Sequence, residues 1–277
     1  MSMKRKRRIS KAVQFIILTI VALAVMMPLY IVIDNMFKDS SMITRSPLSL
    51  PIPPTFQNIK DAIFTPGVNV LDMYKNSVMI STFGMLGTIL VAVPASYYMA
   101  RSKSSFARFS KTYFLMGLMV PYVIVYIPLC MMIRFLKIGF DMPTLVAVFV
   151  AGNIPFSTFM YTNYMTTLPL EIEESASIDG ANRLQILVKI LFPLLKPCTA
   201  TVVIFVFLSI WNDFMTPLLL GQYKTITVGI YTAIGPHSAN WGVVFAYVGL
   251  ATVPMIILFL LFQNQFISGL TNGATKG

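Results

Sequence analysis

Long apolar blocks organise this chain. A helix crosses the hydrocarbon core of a bilayer in roughly 20 residues at about 1.5 Å each. Six blocks meet that length: Ala12–Ile33, Ser77–Ala100, Tyr113–Ile133, Met142–Tyr164, Cys198–Leu220 and Val243–Phe262. Lipid offers no hydrogen-bond partners, so blocks of this kind are expected to be helices. The third and fourth are joined only by a short turn around Lys137–Asp141. Every block contains proline: Pro28, Pro94, Pro121 with Pro128, Pro143 with Pro155, Pro217, and Pro254. A mid-helix proline costs about 3 kcal/mol in water, whereas packed membrane helices repair the lost bond, so kinked spans are expected.

Composition agrees with the pattern. Of 277 residues, 56% are hydrophobic and 11% charged, with a mean hydropathy of +0.75. Soluble domains carry about 25% charged residues. The chain is therefore an all-α membrane protein with six expected spans. Its net charge of +11 does not point to nucleic acid, because the cations are placed as topology signals. Lys4, Arg5, Lys6, Arg7, Arg8 and Lys11 run directly into the first block. A signal peptide also begins this way, but Ala12–Ile33 has the length of a full span and no small-residue cleavage site follows. With the N-terminus inside, fourteen of the 21 Lys and Arg residues fall on inner segments and seven on outer ones. That bias places both termini in the cytoplasm. The resulting division is a basic tail over 1–11, the first helix over 12–33, an outer segment over 34–76 and a core over 77–263. A second cytoplasmic tail covers 264–277. The outer segment holds a proline-rich stretch and a short amphipathic run, Phe56–Phe64. Cys130 and Cys198 lie in apolar surroundings and suggest neither a disulfide framework nor a metal site.

The inner segment over 166–197 is the most informative. Thr167 is placed to cap a short helix, Pro169 suits a first turn, and Glu171, Glu173 and Glu174 complement the positive end of its dipole. Gly180 then breaks the chain, and a second helix leads back to the membrane. An acid-rich helix fits an anionic leaflet poorly, so a protein partner with a basic groove is the better account.

This segment resembles the signature loop of binding-protein-dependent importer permeases: Glu-Ala-Ala, three residues, Gly, nine residues, Ile-x-Leu-Pro. Glu174-Ser175-Ala176, Gly180, Ile190 and Phe192-Pro193 stand at those intervals, with Ser175 and Phe192 as mild departures. Asp179-Gly180-Ala181, the Trp211-Asn212-Asp213-Phe214 stretch with Pro217-Leu218, and the end from Gln265 to Gly277 are similar to the carbohydrate branch, nearest to its six-span maltose-type permease. The resemblance implies a type-1 ABC importer permease fold in the bacterial cytoplasmic membrane. It implies that Glu173, Glu174, Ser175, Ala176, Asp179, Gly180 and Ala181 form a coupling helix docked on an ATPase. It also implies the partners: a second related permease, a cytoplasmic ATPase dimer, an extracytoplasmic solute-binding protein and a sugar or oligosaccharide. No phosphate-binding loop is present in the sequence, so ATP and Mg belong to the partner and this chain is a translocation subunit without cofactor or catalysis.

Asp213 is the only ionisable side chain well inside a block, where a carboxylate costs about 2.5–3.5 kcal/mol. It is expected to face the bundle or a wet cavity, either as a hydrogen-bond anchor beside Trp211 and Asn212 or on the solute pathway. Aromatic faces and amides hold sugars, and Tyr122, Tyr126, Asn153, Phe156, Tyr161, Trp211 and Asn212 offer them, although packing is the commoner use. His237 is expected on an outer surface. An ion-coupled transporter would show an internal repeat and several buried charges, and neither is seen. An intramembrane enzyme lacks a nucleophile–base pair. Glycerol-phosphate or another polar solute remains an alternative to sugar, because the loop reports coupling rather than substrate.

Overall fold

The computed structural model describes residues 3–64, 69–220, 223–234 and 240–274, and the side chains among them between 11 and 263. His237 and Lys276 lie outside the described residues, as do the side chains of the basic run from Lys4 to Arg8. Helix is the regular element throughout. In chain order the helices are α1 (Met3–Met36), α2 (Ser40–Arg45), α3 (Gln57–Phe64), α4 (Val70–Arg101), α5 (Ser105–Gly117), α6 (Tyr122–Phe135), α7 (Met142–Thr166) and α8 (Glu171–Ile178). They continue with α9 (Arg183–Leu194), α10 (Lys196–Asn212), α11 (Met215–Leu220), α12 (Ile226–Ala233) and α13 (Trp241–Ala274). Four of them, α1 from Lys11 onward, α4, α7 and α13 to Gln263, are each long and apolar enough to span a bilayer. Two sharply bent pairs raise the number to six if each pair makes one crossing.

Those bent pairs correct the expected blocks. Residues 113–133 are not one helix: α5 and α6 meet at 105°. Pro121 has no N–H to continue α5 and disfavours helical backbone at Val120. The chain instead turns through tight bonds from Leu118 N–H to Leu115 O and from Met119 N–H to Met116 O. Residues 198–220 are also divided. Helix α10 starts at Lys196, bends 79° from α9, and stops at Asn212 before α11 begins. Just ahead of that first bend, Ile186–Leu191 winds as a wide π turn, next to Pro193, which cannot donate to the Lys189 carbonyl.

The chain forms two compact units. One comprises residues 1–70 with 229–253. Here Lys38 is fully buried, paired with Asp34 and donating to the Ser46 and Pro47 carbonyls at 3.1 and 3.0 Å. Asn58 donates to the Lys38 carbonyl at 2.6 Å. These bonds tie the segment after α1 to its helix end, and a buried ammonium is tolerable only with such partners. Around α1 itself, Phe15, Leu18, Leu23 and Val25 are all exposed, as side chains solvated by lipid would be.

The other unit comprises residues 71–228 with 254–277. Its core joins α4, α7, α9 and α10 through Ile80, Phe149, Tyr161, Met165, Leu191, Val202 and Val206. Close approach is visible at Gly84, where a Cβ would come 2.7 Å from Ile210 Cδ1. At the end of α4, the Arg101 guanidinium Nε donates to Glu173 Oε1 at 2.6 Å, and Tyr97 Oη donates to Glu173 Oε2 at 3.0 Å. Arg101 also reaches the Leu168 carbonyl at 3.3 Å. Helix α8 is thereby bonded to a spanning helix.

Removing one partner of a largely buried ion pair leaves the other charge uncompensated. Arg101→Ala is therefore expected to weaken the seating of α8 by about 2 kcal/mol, a value discounted for its partial exposure to water. Hydrogen exchange should quicken across Glu171–Ile178 while α4 and α7 keep their protection. Unchanged exchange over α8 would show that the ion pair does not hold it.

Candidate functional site

Two places in the larger unit gather the residues singled out above. The first is α8. Its side chains divide by helical period: Glu173 and Ala176 are buried at 9% exposure each, whereas Glu171, Glu174, Ser175, Ser177 and Ile178 are exposed. Glu173 is occupied by Arg101 and Tyr97, so its role is to hold the helix. Glu174 and Ser175, with Asp179 and Gly180 just beyond, face outward, and Ala181 is half-buried. Ile178 at 87% and Leu184 at 69% add apolar surface on either side of the break.

The local sequence explains this shape, with one correction. Thr167 does not cap α8. Helix α7 runs on to Thr166, so Thr167 serves as its C-cap and donates to the Tyr164 carbonyl at 2.8 Å. Helix α8 begins instead from Leu170, without a side-chain cap. Gly180 has φ of 88°, a left-handed conformation that glycine adopts without strain, and nothing lies within 4 Å of a Cβ placed there. Its outer side is open to a partner. Helix α9 then starts with a capping box in which Asn182 accepts from Gln185 N–H at 2.9 Å and Gln185 Oε1 accepts from Asn182 N–H at 2.8 Å.

The second place is a cavity of about 670 Å³ between α6, α7, α10 and the start of α11. Tyr126, Asn153, Asn212 and Asp213 line it together, and so do Tyr122 and Phe156. Trp211 does not. It is 2% exposed, stacked on Phe207 at 5.5 Å and edge-on to Tyr74 at 5.8 Å, because it points to the opposite side of α10. Tyr161 is likewise buried and donates to Thr199 at 3.2 Å, away from the cavity. The remaining walls are residues that composition alone did not single out: Val123, Phe149, Gly152, Phe205, Ser209, Phe214 and Met215. Helical spacing from named residues could have found some of them, since Phe149 and Gly152 share the Asn153 and Phe156 face of α7, and Ser209 lies one turn before Asp213. Gly152 lets Tyr122 lie against α7: a Cβ there would come 2.9 Å from the ring. Tyr122 and Tyr126 stand edge to face at 5.0 Å.

Asp213 sits at a helix break rather than inside a helix. Its backbone is extended, with φ −74° and ψ 119°. Oδ1 accepts from Met215 N–H at 2.8 Å and from Thr216 N–H at 3.1 Å. Oδ2 accepts from Thr216 Oγ1 at 2.6 Å and from Tyr126 Oη at 3.3 Å. The carbonyl freed by the break accepts from Thr227 Oγ1 at 3.2 Å. The carboxylate thus satisfies the backbone N–H groups that α11 would otherwise leave open, as an N-cap does. It anchors the break and edges the cavity at once.

Comparison with known proteins identifies the family. Residues 92–272 match the family described as binding-protein-dependent transport system inner membrane component. The multiple sugar-binding transport system permease protein MsmG of Streptococcus mutans is 31% identical over 281 residues, covering 99% of this chain and 100% of that protein. The melibiose/raffinose/stachyose import permease protein MelC of Bacillus subtilis is 30% identical, covering 99% and 100%. Among solved structures, a bacterial ABC transporter involved in the import of the acidic polysaccharide alginate contains a chain of the same fold. Its TM-score is 0.80 at 23% identity, over 95% of this chain and 98% of that one. By the match to residues 92–272 and by these relatives along its length, the chain is a multi-pass member of the family of binding-protein-dependent transport system inner membrane components.

Proposed function

We propose that this chain is a permease subunit of an ATP-driven importer that carries a sugar or oligosaccharide across the bacterial cytoplasmic membrane. One observation carries the reading: α8 is bonded through its inner face to spanning helix α4 and presents Glu174, Ser175, Asp179 and Gly180 outward. That is the arrangement a lever needs. A partner that grips the outer face can move α8, and the Arg101–Glu173 pair passes the displacement to α4. The partner in this reading is a cytoplasmic ATPase dimer, which binds ATP and Mg and performs the hydrolysis. A second, related permease completes the pathway, and an extracytoplasmic solute-binding protein delivers the solute. Closure of the ATPase pair would turn the cavity outward and hydrolysis would return it inward, a two-state switch biased by the nucleotide.

A saccharide suits the cavity on physical grounds. Tyr122, Tyr126, Phe156 and Phe205 supply apolar faces, and Asn153, Asn212 and Ser209 supply amide and hydroxyl groups. Such pairing of flat apolar and hydrogen-bonding surface matches a sugar ring. The sugar-import names of MsmG and MelC support the same class.

The orientation that follows puts both termini and α8 in the cytoplasm, with Lys60 and Lys224 outside. Reporter fusion or protease mapping should find Lys224 on the outer side. An inner position would overturn the proposed crossing of the membrane by six segments.

Glu174→Lys should leave membrane levels near normal and abolish uptake, because a reversed charge in a desolvated contact costs up to several kcal/mol. At Gly180 two variants separate two causes. Leucine is strained at φ 88° and is also bulky, whereas asparagine tolerates that backbone. If a partner's backbone comes close, Gly180→Leu and Gly180→Asn should both lose ATPase retention on purification and uptake in proteoliposomes. Full retention and full uptake in all three variants would remove α8 as the coupling element.

A further inference from the structure

The cavity that this reading takes as the solute path carries an electrostatic character of its own. Of the described residues lining it, Asp213 is the only one with a formal charge. Among the described residues of this chain, no lysine or arginine shares the wall with it. The four groups that bond the carboxylate are two backbone N–H groups and two hydroxyls, which fix its position without cancelling its charge. Much of the remaining wall is aromatic, with Tyr122, Tyr126, Phe149, Phe156, Phe205 and Phe214, and brings no formal charge to it. The site is only partly enclosed, with Val123, Phe205, Ser209 and Asn212 exposed, so the field acts on a solute that comes within about one Debye length, ~8 Å, of the carboxylate.

The same bonds argue against Asp213 as a direct ligand. A carboxylate offers about four acceptor positions, and Met215, Thr216 twice and Tyr126 occupy that number. A sugar hydroxyl could bond it only by displacing one of them. What remains for Asp213 to exert on a solute is its field.

We propose that Asp213 is an electrostatic filter, which admits uncharged saccharides to this cavity and rejects anionic solutes such as sugar phosphates and uronates. The inference rests on the cavity being the solute path. It narrows the substrate class within that path, and it sets glycerol-phosphate aside as cargo.

The test reads the field directly and bypasses the selectivity of a solute-binding protein. In the assembled complex in lipid, Cys130 and Cys198 are replaced by alanine and a thiol is introduced with Ser209→Cys, on the cavity wall one turn before Asp213. Rates of modification are compared for two methanethiosulfonate reagents of similar size, one bearing a quaternary ammonium and one a sulfonate. With Asp213 present, the cation-to-anion rate ratio should exceed that on a free small thiol by about tenfold or more, as expected for charges several ångströms apart in a partly desolvated site. Asp213→Asn should bring the ratio down to the free-thiol value. Asn212→Lys, which leaves all four bonds to Asp213 in place, should do the same, and it decides the matter if the first variant fails to assemble. A ratio at the free-thiol value with Asp213 present, or one that neither variant changes, overturns the filter while leaving the importer reading intact. If neither reagent reaches the introduced thiol from either side, the cavity is not a water-borne path, and the transport assignment of this site fails together with its filter.

Discussion

Lipid gives no hydrogen bond to a stranded N–H or C=O, so a helix interrupted within the bilayer must supply its own. Much of the structure follows from how that constraint is met. After Asn212 the chain breaks, and Asp213 returns two backbone N–H groups of α11 to bonded partners while Thr227 takes up the freed carbonyl. Between α5 and α6, a run of tight turn bonds carries the chain round to Pro121. Outside that constraint, in the loop after α7, Arg101 reaches the Leu168 carbonyl and holds the exit into α8. Breaks secured in this way are rigid corners, and corners let neighbouring helices diverge enough to leave a cavity of about 670 Å³ among them.

The same economy links the cavity to the loop. Asp213 anchors a break and also gives the cavity its charge. Glu173 holds α8 on α4 and leaves Glu174, one residue on, turned to the outer face. Helix α8 is thus bonded to α4, whose middle packs at Gly84 against Ile210 of α10, a helix that walls the cavity with other residues. Packed side chains and a short ion pair therefore connect the loop with the helices around the cavity.

Much of this was legible in the sequence, and the exceptions have physical causes. The run over 12–33 announces a lipid-facing helix because nothing in it competes with that reading. Spacing from Glu174 to Gly180 located the loop, since the break needs a residue that tolerates positive φ. Pro121 was visible, but a proline in a span signals anything from a slight kink to a 105° corner, and tertiary packing decides which. Asp213 looked like a mid-span charge. Its cap signature, an acidic residue three positions before Thr216, was masked by apolar Phe214 and Met215. Whether Glu173 or Glu174 faces inward depends on the rotation of α8, set by Arg101 some seventy residues earlier, which no local pattern encodes. Trp211 was grouped with its neighbours by adjacency, whereas a helix sends successive residues about 100° apart.

The central claim is that this chain moves a saccharide using energy delivered at α8 by ATP hydrolysis in a partner. The most direct measurement is uptake of labelled neutral saccharides into proteoliposomes of the wild-type complex with its solute-binding protein, with the energy source varied. The account predicts accumulation when ATP is supplied on the side that α8 faces, persisting after ion gradients are collapsed with ionophores. Accumulation driven by a proton or sodium gradient in the absence of ATP would contradict it.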